Sequence, residues 1–128
     1  MVSDEILYTR THEWLKREGE TRITLGITDH AQEELGDIVG VELPIVDAEF
    51  AKEDPIGVIE SVKAVSDVNC PINGKIVEIN EVLEENPELI NEDPFGKGWI
   101  TIIEMEDESE LDEFMNQEEY QSFIDAED

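Results

Sequence analysis

Cationic side chains are scarce in this 128-residue chain, with 8 Lys and Arg against 35 Asp and Glu and a formal net charge of −27. A field of that sign repels nucleic-acid phosphates and anionic lipid, so neither is expected as a partner, whereas basic patches on proteins are attracted. It also loosens the compact state by self-repulsion that salt screens, which makes a salt-rich habitat one expected setting. Cysteine occurs once, at Cys70, excluding an internal disulfide and fitting a reducing compartment. Two histidines, His12 and His30, with that one cysteine give neither zinc-ligand spacing nor a nucleophile–base pair. No apolar run approaches the roughly 20 residues of a membrane span. The start, MVSDEILYTR, lacks the basic and apolar regions of a leader, so a cytoplasmic prokaryotic protein without membrane attachment is expected. Asp67-Val68-Asn69 begins like a calcium loop, but Pro71 takes the fifth position and Gly74 comes too late. GKGW (96–99) lacks phosphate-loop spacing. No self-contained active site is visible.

What remains is a chain with 39% hydrophobic residues, rich in Ile and Val and long enough for one modest core. One domain over 1–128 is expected, with its core in 6–105 and an acidic helical segment over 107–125. ILYT reads as a short strand, THEWLKREGE as a helical turn ending at Gly19, and RITLGI (22–27) as an alternating strand. TDHAQEELG (28–36) is punctuated as a helix, with Thr28 or Asp29 to cap it, Gln32 in capping-box position and Gly36 to end it. IVGVELP (38–44), the two halves of IGVIESVKAVSDVNC (56–70), KIVEIN (75–80) and GWITIIEM (98–105) read as strands. Residues 50–55 read as a polar connection, and NPELINEDPFGKG (86–98) as a long ordered loop. Leu111, Phe114 and Met115, then Tyr120, Phe123 and Ile124, repeat an i, i+3, i+4 spacing that predicts one or two helices. GDIVGVE (36–42) and GKIVEIN (74–80) echo each other, which points to a pseudo-symmetric β core. His12 is expected at the surface or as a cap, Trp14 and Trp99 in packing, and the acid runs on solvated faces.

Lys63 stands apart. β-Branched residues flank it on both sides from Ile56 to Val68, and a strand of that length implies a reversal near its middle. Asn, Asp and Gly are missing from Lys63-Ala64, so the turn has to be held by its surroundings. From these residues alone, a solvated lysine guarding a sheet edge and an amine presented to an acylating enzyme are both open.

Seven segments, in order and covering the chain to about Met105, resemble the H protein of the glycine cleavage system. They are YTRTHEW (8–14), LGITDHAQEELGDIV (25–39), VELP (41–44), ESVKAVSDV (60–68), GKIVEIN (74–80), NPELIN (86–91) and DPFGKGW (93–99). The resemblance implies a mostly β, lipoyl/biotinyl-type barrel-sandwich hybrid of two antiparallel sheets, with a short helix near 28–36 and C-terminal helices. It implies lipoate in covalent amide linkage on Lys63, in a hairpin context of Glu60, Ser61, Val62, Ser66 and Asp67. It further implies a non-catalytic, monomeric carrier that shuttles the aminomethyl group of glycine from a pyridoxal-phosphate glycine decarboxylase (P protein) to an aminomethyltransferase (T protein). Electrons then pass to dihydrolipoyl dehydrogenase (L protein), and lipoate- or octanoyl-attaching enzymes load the lysine. Glu13 and Thr11, with Asp67, are candidates for a cleft that holds the loaded arm.

Other readings stay in view: an H-like relay of lipoate to other complexes, a Schiff-base lysine of a small enzyme, and an acidic interaction module. A biotin carrier is disfavoured because no methionines flank Lys63. Three departures from the family pattern stand out: Gly40 in place of an aromatic residue, Cys70 in place of a small one, and no glycine–acid pair in 52–55.

Overall fold

The computed structural model describes residues 6–127. Residues 1–5, the first half of the stretch on which the leader expectation rests, and the final Asp128 lie outside the described residues. The strands are β1 (Ile6–Tyr8), β2 (Glu13–Arg17), β3 (Arg22–Ile27), β4 (Ile38–Glu42), β5 (Glu49–Phe50), β6 (Pro55–Ser61), β7 (Val65–Asn69), β8 (Gly74–Ile79) and β9 (Thr101–Met105). The helices are α1 (Asp29–Leu35), α2 (Val82–Glu85), α3 (Leu89–Glu92) and α4 (Gln117–Glu127), with a 3-10 turn over Glu108–Glu113.

Two antiparallel sheets result, one of six strands ordered β1-β2-β3-β9-β8-β5 and one of three ordered β4-β6-β7. Neither closes, so the expected architecture is present as two stacked sheets without a barrel. Alternation along β2 explains the layering, because successive side chains leave opposite faces of a strand. Leu15 joins a core with Leu25, Ile59, Ile76 and Ile103, drawn from both sheets. Trp14, its neighbour, joins Tyr8 and Tyr120 instead, against which Phe123 and Ile124 of α4 pack. The large sheet is thus sandwiched between the small sheet and α4. Trp14 lies across from Gly26, where an added Cβ would come within 2.6 Å of the indole. Glycine at that position makes the room for the ring.

Two expectations are corrected. The helical turn expected at THEWLKREGE is the strand β2, paired on both sides with β1 and β3. Ladder hydrogen bonds and burial on both faces override the weak helix preference of Trp-Leu-Lys-Arg. The long loop expected at 86–98 contains α3, with α2 just before it. Pro87 sits where a helical turn begins and its missing N–H costs nothing, while Leu83 and Ile90 are buried. A smaller correction concerns Phe50, which belongs to the two-residue edge strand β5 paired with β8.

The echo between GDIVGVE and GKIVEIN has a structural counterpart. β4 lies in the small sheet and β8 in the large one, and each breaks register at the same place in the shared pattern, between Ile38 and Gly40 and between Ile76 and Glu78. Val39 and Val77 are the extra residues of two equivalent bulges, which bend a strand and increase its twist.

Candidate functional site

Lys63 sits at the tip of the β6–β7 hairpin. Strand pairing runs to Glu60 and Val65, and Ser61 N–H donates to the Ala64 carbonyl at 2.8 Å. Val62 and Lys63 form the loop between, and neither takes a positive φ. The hydroxyl of Ser61 fixes this turn by accepting from the N–H groups of Lys63 at 3.3 Å and Ala64 at 3.0 Å. Serine hydroxyls close turns in the manner of a backbone carbonyl, so Ser61 supplies the turn chemistry missing from Lys63-Ala64. A second anchor comes from the link between α1 and β4, where the Asp37 carbonyl accepts from Val62 N–H at 3.0 Å.

The same link supports the Lys63 stem. Thr28 caps α1, its side chain accepting from Ala31 N–H, and Gly36 ends the helix at φ 80°. A Cβ on Gly36 would lie 3.5 Å from Lys63 Cε, so the stem passes over a position kept bare. Among the described residues no carboxylate pairs with the Lys63 amine. Its neighbours Val62 and Val65 are 71% and 70% exposed, and the Glu60 side chain lies over Gly40. The tip is therefore rigid in its backbone and open at its amine.

Glu13 is built differently. It is 2% exposed, at the start of β2, where the segment from Thr9 to Glu13 folds back on itself. Thr9 N–H donates to the Glu13 carbonyl at 2.9 Å and Glu13 N–H to Thr9 Oγ1 at 3.0 Å. The hydroxyls of Thr9, at 2.7 Å, and of Thr11 both donate to Glu13 Oε1. Burial raises the carboxyl above its ordinary range, against the opposing pull of Thr11, Thr9 and the Asn69 backbone. These groups line a cleft of about 660 Å³ with Asn69, Cys70 and Phe114. Across its mouth Lys52 pairs with Glu113. Burial pushes the Cys70 thiol up to about 11, and it donates to the Ile72 carbonyl at 3.0 Å.

The hairpin and the cleft occupy opposite ends of β7, about 13 Å apart at the usual rise per residue. Glu60, Ser61, Val62 and Ser66 gather near Lys63, and Glu13 and Thr11 gather in the cleft. Asp67 lies exposed on β7 opposite Val58 and is not part of the cleft lining. Gly40 also lies away from it, on the hairpin sheet. Sequence reasoning missed Thr9, Asn69 and the Lys52–Glu113 pair. The first was visible as a period-two alternation of Thr9, Thr11 and Glu13; the others come from distant segments and leave no local signal. Among the described residues no group of His, Cys, Asp and Glu forms a metal site, and no helix is long and apolar enough to cross a membrane.

The glycine cleavage H-protein family model matches residues 6–127. A glycine cleavage system H protein of Halothermothrix orenii is 50% identical over 123 residues, covering 96% of this chain and 95% of that one. One from Carboxydothermus hydrogenoformans is 49% identical over 127 residues, covering 99% and 97%. The crystal structure of a glycine cleavage system H protein from Mycobacterium marinum superposes with a TM-score of 0.86 at 32% identity, covering 97% of this chain and 99% of that one. With the fold, the hairpin and the coverage in agreement, the chain belongs to the glycine cleavage H-protein family.

Proposed function

We propose that the chain is a single lipoyl-carrier domain whose Lys63 amine is acylated by lipoate. The observation that carries this is the presentation of Lys63: the turn beneath it is held by Ser61 and Asp37, while the amine is exposed and unpaired among the described residues. An acylating enzyme needs such a lysine, reachable and fixed at its base. When bound, the dithiolane supplies a reversible thiol–disulfide couple that accepts a one-carbon unit and electrons. The residues of this chain bind and position; they offer no acid–base pair of their own at the tip, and the carrier is read as non-catalytic.

The partners of this reading are a pyridoxal-phosphate glycine decarboxylase, an aminomethyltransferase, dihydrolipoyl dehydrogenase and the enzymes that attach lipoate or octanoate. Tethering raises the effective concentration of the thiol at each partner's site. Glu13, oriented by Thr9 and Thr11, presents an acceptor to a cationic amine brought into the cleft. Asp67, outside that lining, is placed to meet such an amine only on the way along β7.

Intact mass and peptide mapping of the protein from its own organism test the attachment. A single lipoyl group on Lys63 is expected, and an unmodified Lys63 in active cells would overturn it. Exchange of bicarbonate into glycine with a matching decarboxylase separates glycine cleavage from a relay of lipoate to other complexes. For the cleft, Glu13→Gln is expected to speed release of formaldehyde and ammonia from the loaded protein; release at the wild-type rate removes Glu13 from that role.

A further inference from the structure

The loop that carries Glu13 is gripped from a second side. His12 stands at φ 67°, a backbone conformation rare for residues with side chains, and its ring turns toward α4. His12 Nδ1 lies 2.7 Å from the Tyr120 hydroxyl, which lies 2.7 Å from Thr28 Oγ1. Thr28 N–H closes the circuit by donating to the His12 carbonyl at 3.0 Å. Thr28 Oγ1 also accepts from Ala31 N–H, and an ordering in which Thr28 donates to Tyr120 and Tyr120 to His12 is compatible with these distances. The Tyr120 ring is also stacked on Tyr8 at 4.5 Å, and Tyr8 exchanges backbone hydrogen bonds with Met115 at 2.8 and 3.0 Å. Four residues, Thr9 to His12, are therefore shared between the C-terminal helix and the buried acid of the cleft.

We propose that Tyr120 is a positioning residue for the Glu13 carboxylate: its hydroxyl, bridging His12 and Thr28, clamps from the α4 side the loop that presents Glu13 to the cleft. The buried hydroxyl has a use that packing alone does not require, since a phenylalanine would keep the stack on Tyr8. The strained φ of His12 has a use as well, because it aims one side chain at α4 while Thr11 and Glu13 point into the cleft. The bearing of this clamp on a carried arm rests on the function proposed above; the clamp itself does not.

Tyr120→Phe in the full-length chain tests it. Removing one hydrogen-bonded hydroxyl is expected to speed amide exchange at His12 and Glu13 about fivefold. The Glu13 side-chain carboxyl, followed by carbon-13 NMR titration, is expected to move back toward the ordinary carboxylate range as the loosened loop admits water, while the α4 amides stay protected. Unchanged titration and exchange would overturn the proposal. Should the variant release α4 altogether, His12→Asn and His12→Gly keep it testable. Asparagine tolerates the positive φ and offers a side-chain acceptor, so it should behave as wild type; glycine relieves the strain but offers no acceptor, so it should loosen the loop. Wild-type behaviour of the glycine variant would overturn the clamp. In the lipoylated protein, a Glu13 titration moved by Tyr120→Phe with no change in release of the carried amine keeps the clamp and removes the holding role of Glu13. A changed release with Glu13 unmoved removes the clamp.

Discussion

Replacing Ser61 with alanine should loosen the lysine tip and leave the rest of the protein intact. The Ser61 hydroxyl accepts from Lys63 N–H at 3.3 Å and from Ala64 N–H at 3.0 Å. Both amides belong to exposed residues, so water replaces the lost partner and each bond counts near the low end of its range, about 0.5 kcal/mol. Two such bonds give about 1 kcal/mol, or roughly a fivefold change in the local opening equilibrium. The anchors that remain are the Ser61 N–H to the Ala64 carbonyl and the Val62 N–H to the Asp37 carbonyl, so the strands stay paired to Glu60 and Val65. Amide exchange of Lys63 and Ala64 should therefore quicken about fivefold, while core amides such as those of Ile59 and Ile76 keep their wild-type protection. Acylation of Lys63 by a lipoate-attaching enzyme should weaken by a similar factor, mainly in KM, because fewer molecules present the closed turn. Wild-type exchange at Lys63 and Ala64 would refute the claim that Ser61 holds the turn. Loss of protection across the core would refute the claim that its action is local.

Four further outcomes follow from the same geometry. Burial raises Glu13, so its protonated form favours the fold at acid pH and that contribution is lost as pH rises through the raised value. Glu13→Gln removes the loss, and melting curves between about pH 4 and 8 should show the mutant gaining on wild type as pH increases. Gly26→Ala drives a Cβ to within 2.6 Å of the buried Trp14 indole and should cost about 1–3 kcal/mol in denaturant unfolding; wild-type stability would show that the ring has slack. Cys70, with its thiol pushed up to about 11, should resist alkylation at neutral pH until the protein unfolds, which mass spectrometry reads directly. The net charge of −27 should make the melting temperature climb with added salt as the Debye length falls from about 30 Å toward 3 Å, and a flat response would dismiss self-repulsion as a factor.

Elements with strong periodicity or punctuation were legible in the sequence. RITLGI is β3 to the residue, and Thr28 and Gly36 bracket α1 as their chemistry requires. β2 was not legible as a strand, because its identity depends on partners six to fourteen residues away rather than on its own preferences. α3 was hidden by Pro87, which reads as a breaker and acts as a start. At the site, Lys63 stood out because its surroundings were wrong for a charge, and Glu13 because it fell in a family-like segment. Its partner Thr9 was readable from alternation, yet the cleft wall from Asn69 and Cys70 is made by the fold alone. The Ser61 turn was less legible because the hydroxyl that closes it lies two residues before Lys63, outside the pair at the tip.

Arg17, Arg22, Lys52 and Lys75 are matched with Glu108, Glu104, Glu113 and Asp47, whereas Lys63, like Arg10, Lys16 and Lys97, has no ion pair among the described residues, even though Glu60 stands three residues before it. An exposed ion pair is worth only about 0–1 kcal/mol, so leaving this amine without a partner costs the fold little. Under the acylation proposed above, a partner would have to be dislodged when the enzyme approached and would face a neutral amide afterward. The turn beneath Lys63 is held by groups that acylation does not touch, the Ser61 hydroxyl and the Asp37 carbonyl. Rigidity is thus invested in the backbone of the tip and withheld from its amine, which is the division that the acylation proposed for Lys63 requires.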